Sequence, residues 1–267
     1  MSSPSHLPNY SNPPLNEVVM GVQFAPPLGY QQIYALEVWE LFRRDFPKVK
    51  EMPPLPPTFE TFGRPQSGRI NLGIVTGPSH DRFWFISENE DELIQFQQDR
   101  LLHNWRKVGD GTNPYPRFEN IFPKFETELS ALEKYFTKFS PERMNINQCE
   151  ITYLNHILLK EENDISISNW ISLINLGNLN LEDISFAFRK TINNAEGNPC
   201  GRLTCEGGNG LNDKDEPLIL LNLSVKGAPQ EPNISSALDF IRTGREVLVN
   251  CFDEITTEFA HTRWGRE

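Results

Sequence analysis

The chain has 267 residues, enough for one large domain or two smaller ones whose cores fold without disulfides. Its formal net charge of −11 argues against a protein that binds nucleic-acid backbones, because that role normally uses clustered cations. No apolar run approaches the roughly 20 residues that cross a bilayer, and no signal peptide is recognisable. These features predict a cytoplasmic protein that is not inserted in a membrane.

The four cysteines are Cys149, Cys200, Cys205 and Cys251. Cys200 and Cys205 lie in a stretch rich in Gly and Asn, where they could pair or hold a metal. No second Cys or His pair lies near them in the sequence, as a zinc site would require. We therefore expect free thiols, with neither a metal nor a cofactor.

The first half of the chain alternates between extended and helical patterns. Residues 1–15 are rich in Pro, Ser and Asn and predict an extended arm. Residues 16–24 alternate strictly between apolar and other side chains, which is typical of a strand. Residues 30–46 and 118–139 carry apolar side chains at helical spacing. Between these two predicted helices, a proline-rich connector leads to strand candidates at 58–62, 69–76 and 82–87.

Residues 93–106 are too polar for an ordinary core strand and too apolar for a loop. We predict one long strand with two mixed faces, because successive side chains of a strand point to opposite sides. One face then carries Arg100, Asn104 and Arg106, and the other carries His103 and Trp105. Polar groups on both faces indicate partners inside or outside the chain.

The second half repeats this order of elements. Strands are predicted at 147–159, 183–192, 202–206 and 217–225, and helices at 168–176 and 235–262. The glycine-rich residues 197–210 lack the Lys-Ser/Thr ending of a phosphate loop, so they predict a hairpin loop.

Together these elements predict an α+β protein made of two similar β-α-β4-α-like lobes, at residues 16–140 and 141–267. Each lobe would pack long helices on an antiparallel sheet. The order matches each half of the TATA-binding-protein-like fold and is close to helix-grip folds. Such analogy concerns the fold and leaves the function open.

Several motifs resemble one family. They are Pro13-Pro14-Leu15-Asn16-Glu17-Val18-Val19 with Gly21-Val22-Gln23-Phe24, then Gln97-x-Asp99-Arg100 with Asn104-Trp105-Arg106, and a closing helix that contains His261 and Trp264. Together they resemble a sporadically distributed family of uncharacterised bacterial and archaeal proteins that begin with a PPLxEVxxGVQF-type strand. The resemblance implies a microbial cytoplasmic protein from an accessory gene, one that travels with mobile or defence loci. It implies no catalytic residues.

Arg100, His103, Trp105 and Arg106 form the main candidate binding surface, since Arg offers bidentate donors and Trp a stacking face. The alternative is purely structural, because charged and aromatic cross-strand pairs stabilise sheets without a ligand. A second cluster contains Glu150, Tyr153, Asn155 and His156. Glu150 and His156 are six residues apart, about 20 Å along a strand. His156 would therefore need another carboxylate, such as Glu17 or Asp99, for acid–base chemistry.

We predict a non-enzymatic component that holds a protein partner or a small ligand against its sheet. A hydrolase that uses His156 or His103 is the first alternative. The second is a nucleic-acid binder with a concave sheet, which would need a basic stripe that includes residues such as Arg43, Arg44, Lys48 and Lys50. The long C-terminal helix could also pack against a second chain, so a homodimer and a monomer both fit the pattern.

Overall fold

The computed structural model describes residues 7–63, 81–159, 166–177, 181–212 and 214–267. In these ranges the chain forms one antiparallel sheet of nine strands in the order β2-β3-β4-β5-β1-β6-β9-β8-β7. The strands are β1 Leu15–Phe24, β2 Lys48–Met52, β3 Arg82–Ile86, β4 Glu92–Gln97, β5 Arg100–Arg106, β6 Ile146–Leu158, β7 Ser185–Asn193, β8 Pro199–Leu211 and β9 Pro217–Gly227. The predicted α+β class with antiparallel strands and helices is confirmed.

The helices are α1 Ala35–Phe42, α2 Phe118–Phe136, α3 Ile234–Ile255 and α4 Glu258–Trp264, with short 3-10 turns at Gln32–Tyr34 and Ile167–Asn169. The two longest helices, α2 and α3, cover one face of the sheet: α2 packs on β5, and α3 packs on β6 and β9. Among the described residues no helix is both long and apolar enough to cross a bilayer.

The core lies between this sheet face and the helices. On β1, Val18, Met20 and Val22 point toward the helices and are at most 1% exposed. The intervening residues Gly21 and Gln23 therefore point to the opposite face, which we call the open face. Each half of the chain contributes neighbouring strands to one continuous sheet, and β1 and β6 join them at its centre.

The proline-rich connector crosses the open face. We call residues 53–63 the strap. Gln97 of β4 pairs with the backbone of Leu55, accepting from its N–H at 2.9 Å and donating to its carbonyl at 3.0 Å. Further contacts are Thr58 N–H to Gln23 Oε1 at 3.1 Å, Glu60 N–H to Gln148 Oε1 at 3.4 Å, and Arg202 to Glu60 and to the Thr61 carbonyl at 2.7 Å each. Glutamine amides thus replace a neighbouring strand as the partner of this extended backbone.

The prediction of one strand at residues 93–106 was wrong, because the chain turns back at residues 98–99. β4 and β5 form a tight hairpin in which Gln97 pairs with Arg100 and Ile94 with His103. Because two residues form the turn, side chains at odd-numbered positions of β4 lie on the same face as side chains at even-numbered positions of β5. Leu93, Gln95 and Gln97 therefore share the open face with Arg100, Asn104 and Arg106. One unbroken strand would have placed them on the opposite face, with His103 and Trp105.

Other boundaries also differ. The helix predicted at 30–46 is α helical only in α1. Ile33, in the 3-10 turn before it, and Leu36 and Leu41, in α1 itself, are exposed. The helix predicted at 168–176 is reduced to the turn Ile167–Asn169. Residues 58–62 belong to the strap, β2 was not predicted, and residues 69–76 lie outside the described residues. Gly207, Gly208 and Gly210 lie inside β8, because the hairpin turn comes earlier, around Asn194–Asn198.

The predicted C-terminal helix is divided at Thr256 and Thr257. The Thr256 hydroxyl donates to the Phe252 carbonyl at 2.7 Å and its backbone is extended. Thr257 then caps α4, its side chain accepting from Ala260 N–H at 3.2 Å. Thr is a good N-cap residue because its oxygen satisfies an N–H that lacks an intrahelical partner. The break lets α4 fold back toward residues 170–171.

Gly244 sets how closely α3 approaches the sheet. A Cβ at this position would lie 2.9 Å from Ile151 Cγ2 and 3.2 Å from Val225 Cγ1. We expect Gly244→Ala to lower the free energy of unfolding, although Ala favours helices by about 1 kcal/mol over Gly, because overpacking a core costs roughly 1–3 kcal/mol. Urea unfolding measures the difference. Thr243→Ala, at an exposed neighbour on α3, should not destabilise; greater stability of the Gly244 variant would contradict this account.

Candidate functional site

The four predicted binding residues do not form one surface. Strand alternation places Arg100 and Arg106 on the open face and turns His103 and Trp105 toward the helices. His103 is 0% exposed and Trp105 is 1% exposed. Each residue therefore has its own environment.

Arg100 lies beneath the strap and is 7% exposed. Its Nε donates to Asp99 Oδ1 at 3.1 Å, and one Nη donates to the Pro56 carbonyl at 3.1 Å and to Gln23 Oε1 at 3.3 Å. The guanidinium donors that could have bound a ligand thus hold the chain's own connector against the sheet. Its role in this structure is to anchor the strap.

His103 forms a buried pair with Glu128 of α2. Its Nδ1 lies 3.0 Å from both carboxylate oxygens of Glu128, and its Nε2 lies 3.9 Å from Glu92. Burial lowers the pKa of His103, but the charge and hydrogen bond of Glu128 and the charge of Glu92 outweigh burial and the nearby Lys124. The pKa is therefore raised above its ordinary value, which favours an imidazolium–carboxylate pair.

Trp105 and Arg106 end β5 on opposite faces. The Trp105 ring packs against Tyr115, with centroids 5.1 Å apart. Arg106 donates from Nε to the Glu90 carbonyl at 3.0 Å and holds its guanidinium 5.7 Å from the Trp84 ring centroid. Trp105 therefore belongs to the core, whereas Arg106 remains on the open face.

The second predicted cluster is also divided by the alternation of β6. Glu150 and His156 lie on the open face, where Glu150 pairs with Lys226 at 2.7 Å. Tyr153 and Asn155 point toward the helices, and Asn155 donates to the Leu221 carbonyl at 3.0 Å. Only these two members of the cluster come together at a cavity.

That cavity lies between α2, α3 and β6 and has a volume of about 880 Å³. We call it the central cavity. Tyr153, Asn155 and Leu223 form its floor, the start of α2 and residues 245–252 of α3 form two walls, and residues 7–15 close it. Its position over the β1–β6 pair makes both halves of the chain contribute to it.

The arm is held in place by Arg117, which precedes α2. Arg117 donates to Asn9 Oδ1 at 3.1 Å and to the Tyr10 carbonyl at 3.0 Å. Tyr10 is 5% exposed and donates its hydroxyl to Asp253 Oδ1 at 2.6 Å. The described part of the predicted arm, residues 7–15, thus forms an ordered wall of the central cavity.

Arg245 brings a cation to this cavity. Its Nη2 lies 2.9 Å from Glu119 Oε1, and its guanidinium lies 4.6 Å from the Phe118 ring centroid. Its Nε is buried and has no hydrogen-bond partner among the described residues. A buried donor without an acceptor is costly, and it is uncommon in native proteins. The cavity therefore offers one strong unused donor.

Two tyrosines line the central cavity together with Arg245. The hydroxyl oxygens of Tyr115 and Tyr153 are 3.5 Å apart. Burial is the main cause that raises the pKa of both hydroxyls, and Arg245 partly opposes this effect. Both hydroxyls consequently stay protonated near neutral pH and can donate or accept hydrogen bonds.

The sequence did not single out Arg245, Tyr115 or Arg117. One signal was present: Arg245 lies at helical spacing between Ile241 and Leu248, both buried on α3. A charged residue on an apolar helical stripe is expected to have a specific partner. The other two lie in the loop before α2, where periodicity gives no information.

The cysteines and metal-binding residues give no second site. Cys149, Cys200, Cys205 and Cys251 are free thiols. Within the described ranges no group of three or more His, Cys, Asp or Glu side chains is arranged to hold a metal ion.

We expect Arg100→Ala to release the strap, because it removes the charged donor to the Pro56 carbonyl and leaves Asp99 without its ion-pair partner. Chymotrypsin should then cut faster after Phe59 or Phe62 under native conditions, as measured by mass spectrometry of the fragments. Arg189→Ala, at a half-exposed position on β7, is the control. Equal cleavage of the Arg100 and Arg189 variants would show that Arg100 does not anchor the strap.

The His103–Glu128 pair should make stability depend on pH. Because the folded-state pKa of His103 is raised, its contribution is complete below the ordinary value of 6.5 and is lost as pH rises through the folded-state pKa. Urea unfolding across pH 6–9 should show this loss in the wild type and a flatter profile in Glu128→Gln. Glu126→Gln, at an exposed position of α2, should behave as wild type. The same slope in all three proteins would exclude the pair as its source.

Comparison of the chain with family models, curated proteins and solved structures finds no match. The central cavity is therefore characterised by its own chemistry alone. Walls of mixed polar and apolar side chains, two protonated tyrosines and a partly buried guanidinium with an unused Nε donor suit a small molecule that carries a hydrogen-bond acceptor.

Proposed function

We propose that this chain is a non-enzymatic binding component that holds a small anionic ligand in the central cavity, against β6 and beneath α2 and α3. The observation that supports it most is the buried Arg245 Nε without a partner among the described residues. A carboxylate or phosphate oxygen of a ligand would satisfy that donor. The Phe118, Leu248 and Phe252 side chains would contact its apolar part.

Recognition would use the planar guanidinium. Nε and one Nη of an arginine donate in parallel to two oxygens of a carboxylate or phosphate. The Nη2 of Arg245 now contacts Glu119, whose side chain is 63% exposed. Glu119 could therefore turn into solvent when an anionic ligand takes its place. The volume of about 880 Å³ lies within the range of typical ligand sites, roughly 300–1,000 Å³.

Arg242 provides a matched control for Arg245. It lies almost one turn earlier on α3, its guanidinium is also 4.6 Å from an aromatic centroid, that of Phe122, and it pairs with Asp239 at 2.7 Å. It does not line the central cavity. Substitution of either arginine by Gln changes the net charge equally.

We expect Arg245→Gln to weaken binding of the anionic aromatic probe 1-anilinonaphthalene-8-sulfonate about tenfold, since a charged hydrogen bond contributes roughly 1.5–3 kcal/mol. Arg242→Gln should bind as wild type in the same fluorescence titration. Native mass spectrometry of protein purified gently from its own cells should show a bound small molecule that is absent from Arg245→Gln. Equal probe affinity for both variants, with no retained molecule, would reject the central cavity as the site.

A hydrolase that uses His103 is the second candidate. It is favoured by the 3.0 Å contact of His103 with Glu128. Glu128, Glu92 and Lys124 line a further cavity of about 880 Å³. His103 itself is fully buried behind these side chains, so binding is the preferred function. His156 lies on the open face and lines neither of these cavities. Hydrolysis of p-nitrophenyl acetate that is lost in His103→Gln would favour the enzyme.

A protein partner is supported by a different surface. Leu28, Ile33 and Leu36 are 89%, 78% and 63% exposed around the start of α1. Contiguous exposed apolar side chains are common at interaction sites. The apolar stripe of α3, in contrast, is covered by the chain's own sheet, which favours the monomer of the two alternatives.

We also infer that the two halves of the chain are similar lobes of a TATA-binding-protein-like or helix-grip-like fold. The mirrored order of strands about β1 and β6, with a long helix ending each set, supports this relation. Cytoplasmic location and association with a mobile or defence locus remain proposals that depend on the family resemblance.

A further inference from the structure

Three cations surround one tryptophan on the open face. Lys50 Nζ lies 5.9 Å, the Arg82 guanidinium 5.6 Å and the Arg106 guanidinium 5.7 Å from the ring centroid of Trp84. We call these four residues the Trp84 cluster. Cations within about 6 Å of an aromatic centroid are attracted to the ring face.

Strand pairing brings the cluster together. Lys50 of β2 pairs directly with Trp84 of β3, which pairs on its other side with Gln95 of β4. Arg82 lies two residues before Trp84 and therefore on the same face. Arg106 reaches the ring from β5. Residues from four strands thus converge at one place in the sheet.

The cations of the cluster form no direct ion pair with a described carboxylate. Within the described ranges, no carboxylate forms an ion pair within 4 Å of Lys50, Arg82 or Arg106. On the other half of the same face, Lys226 pairs with Glu150 and Arg202 with Glu60, both at 2.7 Å. In a chain of net charge −11, three cations around one ring form a local positive site. One acidic neighbour is Glu17, opposite Arg106 in the β1–β5 pairing; burial raises the pKa of Glu17, and the charge of Arg106 partly opposes that rise.

Hydrogen bonds fix the ring and leave one donor unused. Trp84 Nε1 donates to Gln95 Oε1 at 3.1 Å, and the same oxygen accepts from Arg82 Nη1. Gln95 Nε2 donates to Asn104 Oδ1 at 2.9 Å. The Nε of Arg82 is buried without a partner among the described residues. An oxyanion at this point would satisfy that donor and offset part of the charge of the three cations.

We propose that the Trp84 cluster binds nucleotides, with their phosphates on Lys50, Arg82 and Arg106 and a base against Trp84. Phosphates select clustered Arg and Lys, and bases stack on aromatic or guanidinium planes. A carboxylate ligand would use the cations but not the ring. The ligand can be a free nucleotide or a nucleotide within a single strand of nucleic acid. We expect the cluster to bind these two ligands with different affinities. This site is on the face opposite the central cavity and does not depend on Arg245.

Fluorescence polarisation with a 5′-labelled 12-nucleotide oligo(U) strand, in competition with ATP, tests the proposal on the full chain. We expect Lys50→Gln and Arg106→Gln each to weaken binding about tenfold and to reduce the salt slope by about 1, because each removes one phosphate contact. Trp84→Leu should weaken binding without changing the salt slope. Lys226→Gln, at an ion-paired position on the same face, is the matched control.

The outcomes separate the two sources. Affinity for the strand much higher than for ATP identifies a single strand as the ligand, whereas comparable affinities identify the free nucleotide. The proposal is overturned if neither binds at 50 mM salt. It is equally overturned if Lys50→Gln and Arg106→Gln bind no more weakly than Lys226→Gln. Lys50 is exposed on a short strand, so its substitution leaves folding intact.

Discussion

The antiparallel pairing of β1 with β6 is the constraint on which the rest of the structure depends. It joins the strands of residues 15–106 to those of residues 146–227, and the central cavity lies directly above it. A slip of one residue would exchange the faces of every side chain on either strand. Val18, Met20 and Val22 would then meet the open face, and Gln23 would enter the core. The strong alternation of β1 therefore fixes both the sheet and the floor of the cavity.

The open face supplies hydrogen-bond partners for the strap. A connector without secondary structure leaves its backbone N–H and carbonyl groups to find partners elsewhere. Gln23, Gln97, Gln148 and Arg100 supply those partners from strands of both halves. These polar side chains therefore contact the strap, whereas those of an ordinary exposed sheet face contact water. The polar side chains of residues 93–106 indicated partners inside or outside the chain. For Gln97 and Arg100 the partner is inside it, because both bind the strap.

The sequence was informative where periodicity was long and unbroken. β1, α2, β6 and β9 were located to within a few residues, because their apolar side chains follow a period of 2 or 3.6. The β4–β5 hairpin was missed because its turn, Gln98-Asp99, has no Gly and follows Gln97, so polar residues run from the strand into the turn without a break. That single error placed the side chains of β4 on the wrong faces relative to those of β5, while Arg100 and His103 lie on opposite faces as predicted. Similarly, the division between α3 and α4 was missed. Thr256 ends the first helix and Thr257 caps the second, but the apolar side chains keep their helical spacing across both.

The two proposed sites share one physical signature that no motif in the sequence displays. Most arginines of the described chain have carboxylate or carbonyl partners, but the Nε atoms of Arg82 and Arg245 are buried without one. Burying a cationic donor without an acceptor is unfavourable, and this is why we propose a ligand at each of the two. They lie on opposite faces of the sheet, one beside neutral tyrosines under the helices and one beside the other cations of the Trp84 cluster on the open face. Because the sheet separates them, occupation of one site leaves the donors of the other free, and each ligand can be identified without the other.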